Sequence, residues 1–178
     1  MGQSPPSSSY NEKSEGLAFY QGVVDFGYRF VSPRVCCTEP KKVIDENFIL
    51  LSVRAPVGEV NLTKEECAIG RGNAGLRAKN GQKLFLYYLL KYNIRKLQIS
   101  AEGTVFSSIN RSTIENLEIN IPEPIDEQKV IASVLSSLDD KIDLLHRQNK
   151  TLESMAAALF RKWFIEDAKE DWEERPLS

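Results

Sequence analysis

The stretch Glu127 to Phe164, EQKVIASVLSSLDDKIDLLHRQNKTLESMAAALFRKWF, contains neither glycine nor proline, and none follows Pro124 until Pro176. Its apolar positions step alternately by four and three: Ile131, Leu135, Leu138, Ile142, Leu145, Asn149, Leu152, Ala156, Leu159, Trp163. That period is a heptad seam, with Ile131, Leu138, Leu145, Leu152 and Leu159 at d and Leu135, Ile142, Asn149, Ala156 and Trp163 at a. The spacing predicts one helix of about 40 residues, roughly 60 Å long, with Asp126 as N-cap and Glu127 in its first turn. Such a helix needs a partner helix. Asn149 is the type of polar core residue that fixes register, or else a solvated residue where the seam is loose. His146, the only histidine, falls at e and reads as a rim residue. Around Trp163 the helix turns apolar on several sides, which implies a second contact surface.

Ahead of Pro122 the pattern is different. FILLSV (Phe48 to Val53) is a continuous apolar run of buried-strand length, and EVNL, CAIG and AGLRA fit further short strands. One helix fits QKLFLYYLLKYNIRKL, with Leu84, Tyr87, Tyr88, Lys91, Ile94 and Arg95 at helical spacing. RSTIENL offers a capping box of Ser112 with Glu115, and LEINIP alternates as a half-buried strand does. The fold class is therefore α+β: a globular domain of short strands and helices over residues 1–122, a coiled-coil-forming helix over 123–168, and a tail over 169–178.

Composition narrows the function. The 178 residues are 42% apolar and 27% charged, an ordinary globular balance. No apolar run reaches the roughly 18 residues of a membrane span, and the start MGQSPPSSSYNEKSEG lacks a signal-peptide pattern, so a cytoplasmic protein is expected. Cys36, Cys37 and Cys67 are odd in number and read as reduced thiols. The net charge of −2 hides an asymmetry: residues 52–111 carry ten basic against four acidic side chains, residues 112–178 eight against fifteen. A basic surface within the middle segment is all that a phosphate backbone would meet.

Catalytic signatures are missing. There is no glycine-rich nucleotide loop and no Asn-Pro-Pro-aromatic tetrapeptide, and one histidine cannot supply a Ser-His-Asp or Cys-His arrangement. Asp25 followed by Glu39-Pro40-Lys41 imitates a nuclease metal site, but Pro40 would interrupt the strand that must present it.

Eight motifs in order, GQSPPSSSYN, FYQGVVDFG, FILLSVRAPVGEVN, CAIGRGNAGLR, FLYYLL, GTVFSSINRSTIENLEINIPEP, EQKVIASVLSSLDDKIDL and LFRKWF, resemble one half of the specificity subunit of type I restriction-modification enzymes, from about Gly2 to Phe164. The resemblance implies a target recognition domain that reads double-stranded DNA, then a helix forming an antiparallel coiled coil on which modification (methyltransferase) subunits dock. Restriction subunits join through these. The partners would use S-adenosylmethionine, ATP and magnesium, leaving this chain no cofactor, no metal and no catalytic residue of its own.

Family subunits usually carry two recognition domains and two helices, whereas this sequence holds one of each. A segment expected ahead of the Gly-Ser-Pro motif is absent there, and DWEERPLS at the end looks like it. Two explanations stand: a split or truncated gene, or a half-subunit that pairs with itself or with another half. Pairing would use Leu138, Ile142, Leu145, Asn149, Leu152, Leu159 and Trp163.

Within the recognition domain, Arg54, Arg71 and Arg77 stand at strand ends beside proline or glycine, where loops project and backbone comes close to a ligand. Arginine grips guanine O6 and N7 or a phosphate, which makes these three candidate DNA contacts. Gln21 and Asn110 suit adenine edges, while Ser107, Ser108 and Arg111 suit phosphates. Ser4, Tyr10 and Asn11 occupy a loop with the same capability. The alternative assignment is that these motifs serve the fold. Two rival functions are a scaffold that only docks partner subunits and an autonomous nuclease.

Overall fold

A computed structural model describes residues 1–102, 108–168 and 172. Chain contacts divide into two compact units, Met1–Ser136 and Ser137–Ser178.

The first unit holds two sheets. Strands β1 (Tyr10–Asn11), β2 (Leu17–Tyr20), β3 (Cys36–Cys37), β4 (Val43–Ile44) and β7 (Cys67–Ile69) form one, in the order β1-β3-β2-β7-β4. Strands β5 (Ile49–Ser52), β6 (Val60–Leu62) and β8 (Asn73–Leu76) form the other, in the order β6-β5-β8. All pairings are antiparallel except β2 with β7, where Phe19 faces Ala68 and Tyr20 faces Ile69.

The FILLSV run is apolar without alternation because β5 is covered on both faces. Ile49, Leu51 and Val53 join Tyr87, Leu90 and Leu97 of the helices in one core. Leu50 faces the other way, into a second core with Tyr20, Ile44, Cys67 and Ile69. Cys67 is a fully buried member of this second core, Cys37 is fully buried in a third with Phe19 and Ala68, and Cys36 is half-buried, all as free thiols.

Four elements differ from what the sequence pattern predicts. The single helix expected over Gln82–Leu97 is two, α1 (Lys83–Tyr92) and α2 (Ile94–Glu102). Asn93 separates them: its side-chain amide donates to Leu89 O at 2.9 Å, competing with the backbone ladder. The cap of α3 (Arg111–Glu115) is Asn110 rather than Ser112; Asn110 Oδ1 accepts from Thr113 N at 2.9 Å. Leu117–Pro122 joins no sheet, since its carbonyls go to side chains, Glu118 O to Lys96 Nζ and Pro122 O to Gln128 Nε2. Finally, α4 (Ile125–Arg161) starts before Asp126, which lies in its first turn, and Gln128 N bonds to Pro124 O.

The start of α4 belongs by packing to the first unit. Gln128 and Ala132 are buried, Asn80 Nδ2 donates to Gln128 Oε1 at 2.8 Å, and the buried Arg29 donates from Nη2 to Ser136 Oγ at 2.7 Å. Within the second unit α4 runs on to Arg161 and continues as a π-helical turn, Lys162–Glu166. The seam side chains Leu138, Leu145, Leu152, Leu159 and Trp163 are exposed there, between 44% and 61%. Phe160 and Phe164 stack at 4.9 Å, and Trp172 lies 5.8 Å from Phe164; the rest of the expected tail, 169–171 and 173–178, lies outside the described residues. No described helix is long and apolar enough to cross a membrane.

Candidate nucleic-acid interface

Because β2 and β7 are parallel, their C-terminal ends coincide, and the loops that follow, Gln21–Gly22 and Gly70–Gly72, emerge side by side. Gly70 N bonds to Tyr20 O at 2.9 Å and fixes that adjacency. The second sheet delivers its own loop to the same place. Ser52 pairs with Asn73, and Val53 N donates to Gly72 O at 2.8 Å, so Arg54 leaves β5 next to Arg71. Ile109 N donates to Val53 O at 3.1 Å and brings Ser108 and Asn110 to the adjoining backbone.

Glycines permit this crowding. A Cβ on Gly72 would stand 2.2 Å from Gln21 O, and one on Gly2 would stand 2.1 Å from Gly70 O. Only bare backbone fits there. Gly2 N and Gln3 N bond to Asn73 O and Ile69 O, which places Ser4 beside Arg71, whose N–H donates to Ser4 Oγ at 3.3 Å.

The result is an open groove of 590 Å³ lined by Ser4, Gln21, Gly22, Val23, Val24, Arg34, Arg54, Ala55, Arg71 and Gly72. Four residues singled out in the sequence, Ser4, Gln21, Arg54 and Arg71, thus converge. The three guanidinium groups of Arg34, Arg54 and Arg71 are exposed and the floor is glycine backbone, an arrangement suited to a polyanion whose backbone or base edges come close.

The other candidates lie elsewhere or are engaged. Arg77 is 3.8 Å from Asp45 and stands over the Phe48 ring. Tyr10 donates its hydroxyl to Pro5 O at 3.2 Å and packs on Phe19. Asn11 closes its own turn, accepting from Lys13 N and Glu15 N and donating to Glu15 O. Asn110 is occupied as a cap, also accepting from Ser112 Oγ at 2.7 Å. Arg111 pairs with Glu115 at 2.8 Å, a bond that raises the guanidinium pKa further. Ser108 is half-buried, and Ser107 lies outside the described residues.

Arg34 is the groove residue that sequence reading missed. It follows Pro33 as Arg71 follows Gly70, the same local signal used for the other arginines, but its link to Asp25 is visible only in three dimensions. Asp25 accepts Arg34 Nε at 3.0 Å and Gln21 N at 3.0 Å. Asp25 of the nuclease-like pattern is 4% exposed, and its carboxylate is engaged by Arg34.

Comparison with known proteins places the chain in a family. Residues 12–154 match the family model described as the type I restriction modification DNA specificity domain. The type I restriction enzyme MjaX specificity subunit of Methanocaldococcus jannaschii is 42% identical over 156 residues, covering 86% of this chain and 36% of the relative. The crystal structure of the HsdS subunit from Thermoanaerobacter tengcongensis superposes with a TM-score of 0.67 at 37% identity, covering 83% of this chain and 36% of the other. A type I S subunit from M. genitalium, at 21% identity and a TM-score of 0.72, shares the fold. The chain spans little more than a third of the first two relatives. It belongs to the type I restriction-modification DNA specificity family.

Proposed function

We propose that this chain is a DNA-reading half of a type I specificity subunit. It holds one half-site in the groove of Arg34, Arg54 and Arg71, and it directs adenine methylation and cleavage performed by partner modification and restriction subunits in the cytoplasm. S-adenosylmethionine, ATP and magnesium are used by those partners. The observation that carries this reading is the convergence of three exposed arginines with Ser4 and Gln21 over a glycine floor; two of the three, Arg54 and Arg71, belong to residues 52–111, whose charge is opposite to that of the chain as a whole.

The exposed seam of α4 supports the second part of the proposal, that two halves pair. The partner helix comes from a second copy or from another half-subunit. A two-fold pair places identical readers at the two ends of a coil, so the site is an interrupted palindrome whose spacing the coil sets.

Co-expression with the cognate modification subunit in a methylation-free host, followed by mapping of modified adenines, tests both parts. A symmetric interrupted motif supports a homodimer; an asymmetric bipartite motif supports pairing with a different half. An assembled complex that methylates nothing refutes DNA reading and leaves a scaffold.

A further inference from the structure

Arg34 is held differently from the other two groove arginines. Asp25 is buried at the foot of the groove, 4% exposed, in a short turn, Val23–Asp25, between β2 and β3. The turn is tightly tied: Asp25 N bonds to Gly22 O, Phe26 N to Val23 O, and Ser32 N to Asp25 O at 2.9 Å. One carboxylate oxygen accepts Gln21 N and the other accepts Arg34 Nε, each at 3.0 Å. A single buried carboxylate therefore positions two groove residues.

The choice of nitrogen matters. Nε lies on the side of the guanidinium nearest the chain, so engaging it locks the plane of the group while Nη1 and Nη2 remain for a ligand in an end-on fork. The Arg34 side chain is 56% exposed despite this anchor. Because Asp25 is buried, Arg34 offsets the cost of its desolvation, and the same bond preorganises the fork.

The surroundings separate the two ligands that such a fork accepts. Arg34 lines both the basic groove and a neighbouring hollow that also contains Glu12, Glu65 and Glu66. Three carboxylates on that side repel a phosphate, whereas the O6 and N7 acceptors of guanine carry no net charge. Resting on the DNA-reading role proposed above, we infer that Arg34 reads a guanine edge at the boundary of the half-site, with Asp25 as its positioning residue.

The test uses the full chain co-expressed with its modification subunit, the host genome serving as the pool of sites. Wild type is expected to methylate a motif containing an invariant guanine in each half-site. Arg34→Lys keeps a positive charge to face the buried Asp25 carboxylate and loses the fork. It is expected to methylate the same motif with that one guanine relaxed, discrimination there falling about 5- to 150-fold. Asp25→Asn, which retains a carbonyl oxygen for one of the two donors, is expected to relax the same position and no other. Wild-type adenine methylation with no invariant guanine, an unchanged motif in Arg34→Lys, or an equal loss of methylation at every site would each overturn the assignment; the last would mark a phosphate contact. Absence of any wild-type motif would instead refute the DNA-reading role itself, and this inference with it.

Discussion

Replacing Gly72 by alanine should damage the groove through the backbone alone. The added methyl would stand 2.2 Å from Gln21 O, 3.3 Å from the Gln21 carbonyl carbon and 3.3 Å from Gly22 Cα. Relief requires the β2 and β7 loops to part by about 1 Å, since carbon finds ordinary contact only near 3.5 Å. Both loops are pinned, Gly72 O by Val53 N at 2.8 Å and Tyr20 O by Gly70 N and Asn73 Nδ2, each at 2.9 Å. Overpacking of this kind costs about 1–3 kcal/mol, and weakening one of those hydrogen bonds adds about 1, for a total of about 2–4 kcal/mol. For a chain of this size that lowers Tm by about 4–16 °C. Gly22 is the control: it lines the same groove, nothing lies within 4 Å of its added Cβ, and its φ of −174° is open to any residue. Gly22→Ala should stay within about 0.5 kcal/mol of the parent or gain slightly. Thermal and urea unfolding at fixed protein concentration read both variants. An unchanged Gly72→Ala, or an equal loss in Gly22→Ala, would refute the account of why glycine occupies this floor.

Three other outcomes follow from the same geometry. Arg54→Ala and Arg71→Ala should each weaken DNA binding and reduce the slope of log K against log salt by up to about 0.9, the counterion release of one phosphate; unchanged slopes in titrations from low to high salt would remove both from the backbone contact. Burial, assisted by Glu65 and Glu66 and opposed by Lys83, pushes the Cys67 thiol from 9.0 up to about 12. The folded chain therefore keeps a proton that the unfolded chain releases, and stability is intact below pH 9 and falls between pH 9 and about 12, by up to about 1.4 kcal/mol per pH unit. Burial raises Tyr20 too, with the same sign, so Cys67→Ala should flatten the decline in urea unfolding without abolishing it. Leu145→Glu should convert a paired chain to a monomer in sedimentation experiments, because the charge falls on the d line of the seam; a dimer that survives it is not built on this stripe.

Legibility followed the range of the interactions. The heptad period and the doubly buried FILLSV strand are local patterns with one dominant cause, and both were readable residue by residue. The break at Asn93 was not, because helical periodicity in α1 and α2 runs straight through it while one side-chain amide redirects the backbone. LEINIP alternates correctly yet finds no strand to pair with, since pairing depends on what lies alongside rather than on the segment itself. In the groove, proline and glycine neighbours located Arg54 and Arg71 as loop residues. That they share a groove with Gln21 follows from the parallel register of β2 and β7, which the sequence does not state. Arg34 carried a similar local signal, but its partner Asp25 is a buried acid that composition alone would place in solvent.

The charge distribution bears on why pairing of halves suits DNA reading. A net charge of −2 gives little attraction at long range, and a symmetric pair doubles it to −4. On the proposed reading affinity then rests on each groove, where Arg54 and Arg71 neutralise about two phosphates while Arg34, which already faces a carboxylate, takes an uncharged base edge. A contact of that size is weak and steeply salt-dependent on its own. Two such contacts joined through a stiff helix pair act at an effective concentration set by the coil, which raises avidity by about 10²–10⁴ with no new contact, provided the half-site spacing matches. On this reasoning Leu145→Glu, with every groove residue intact, should lose DNA affinity by that factor and show about half the parental salt slope. Changing the spacer between half-sites should reproduce the loss in the unmutated protein. A monomeric Leu145→Glu that binds DNA as tightly as the parent would show that one groove suffices and that the seam serves only the docking of other subunits.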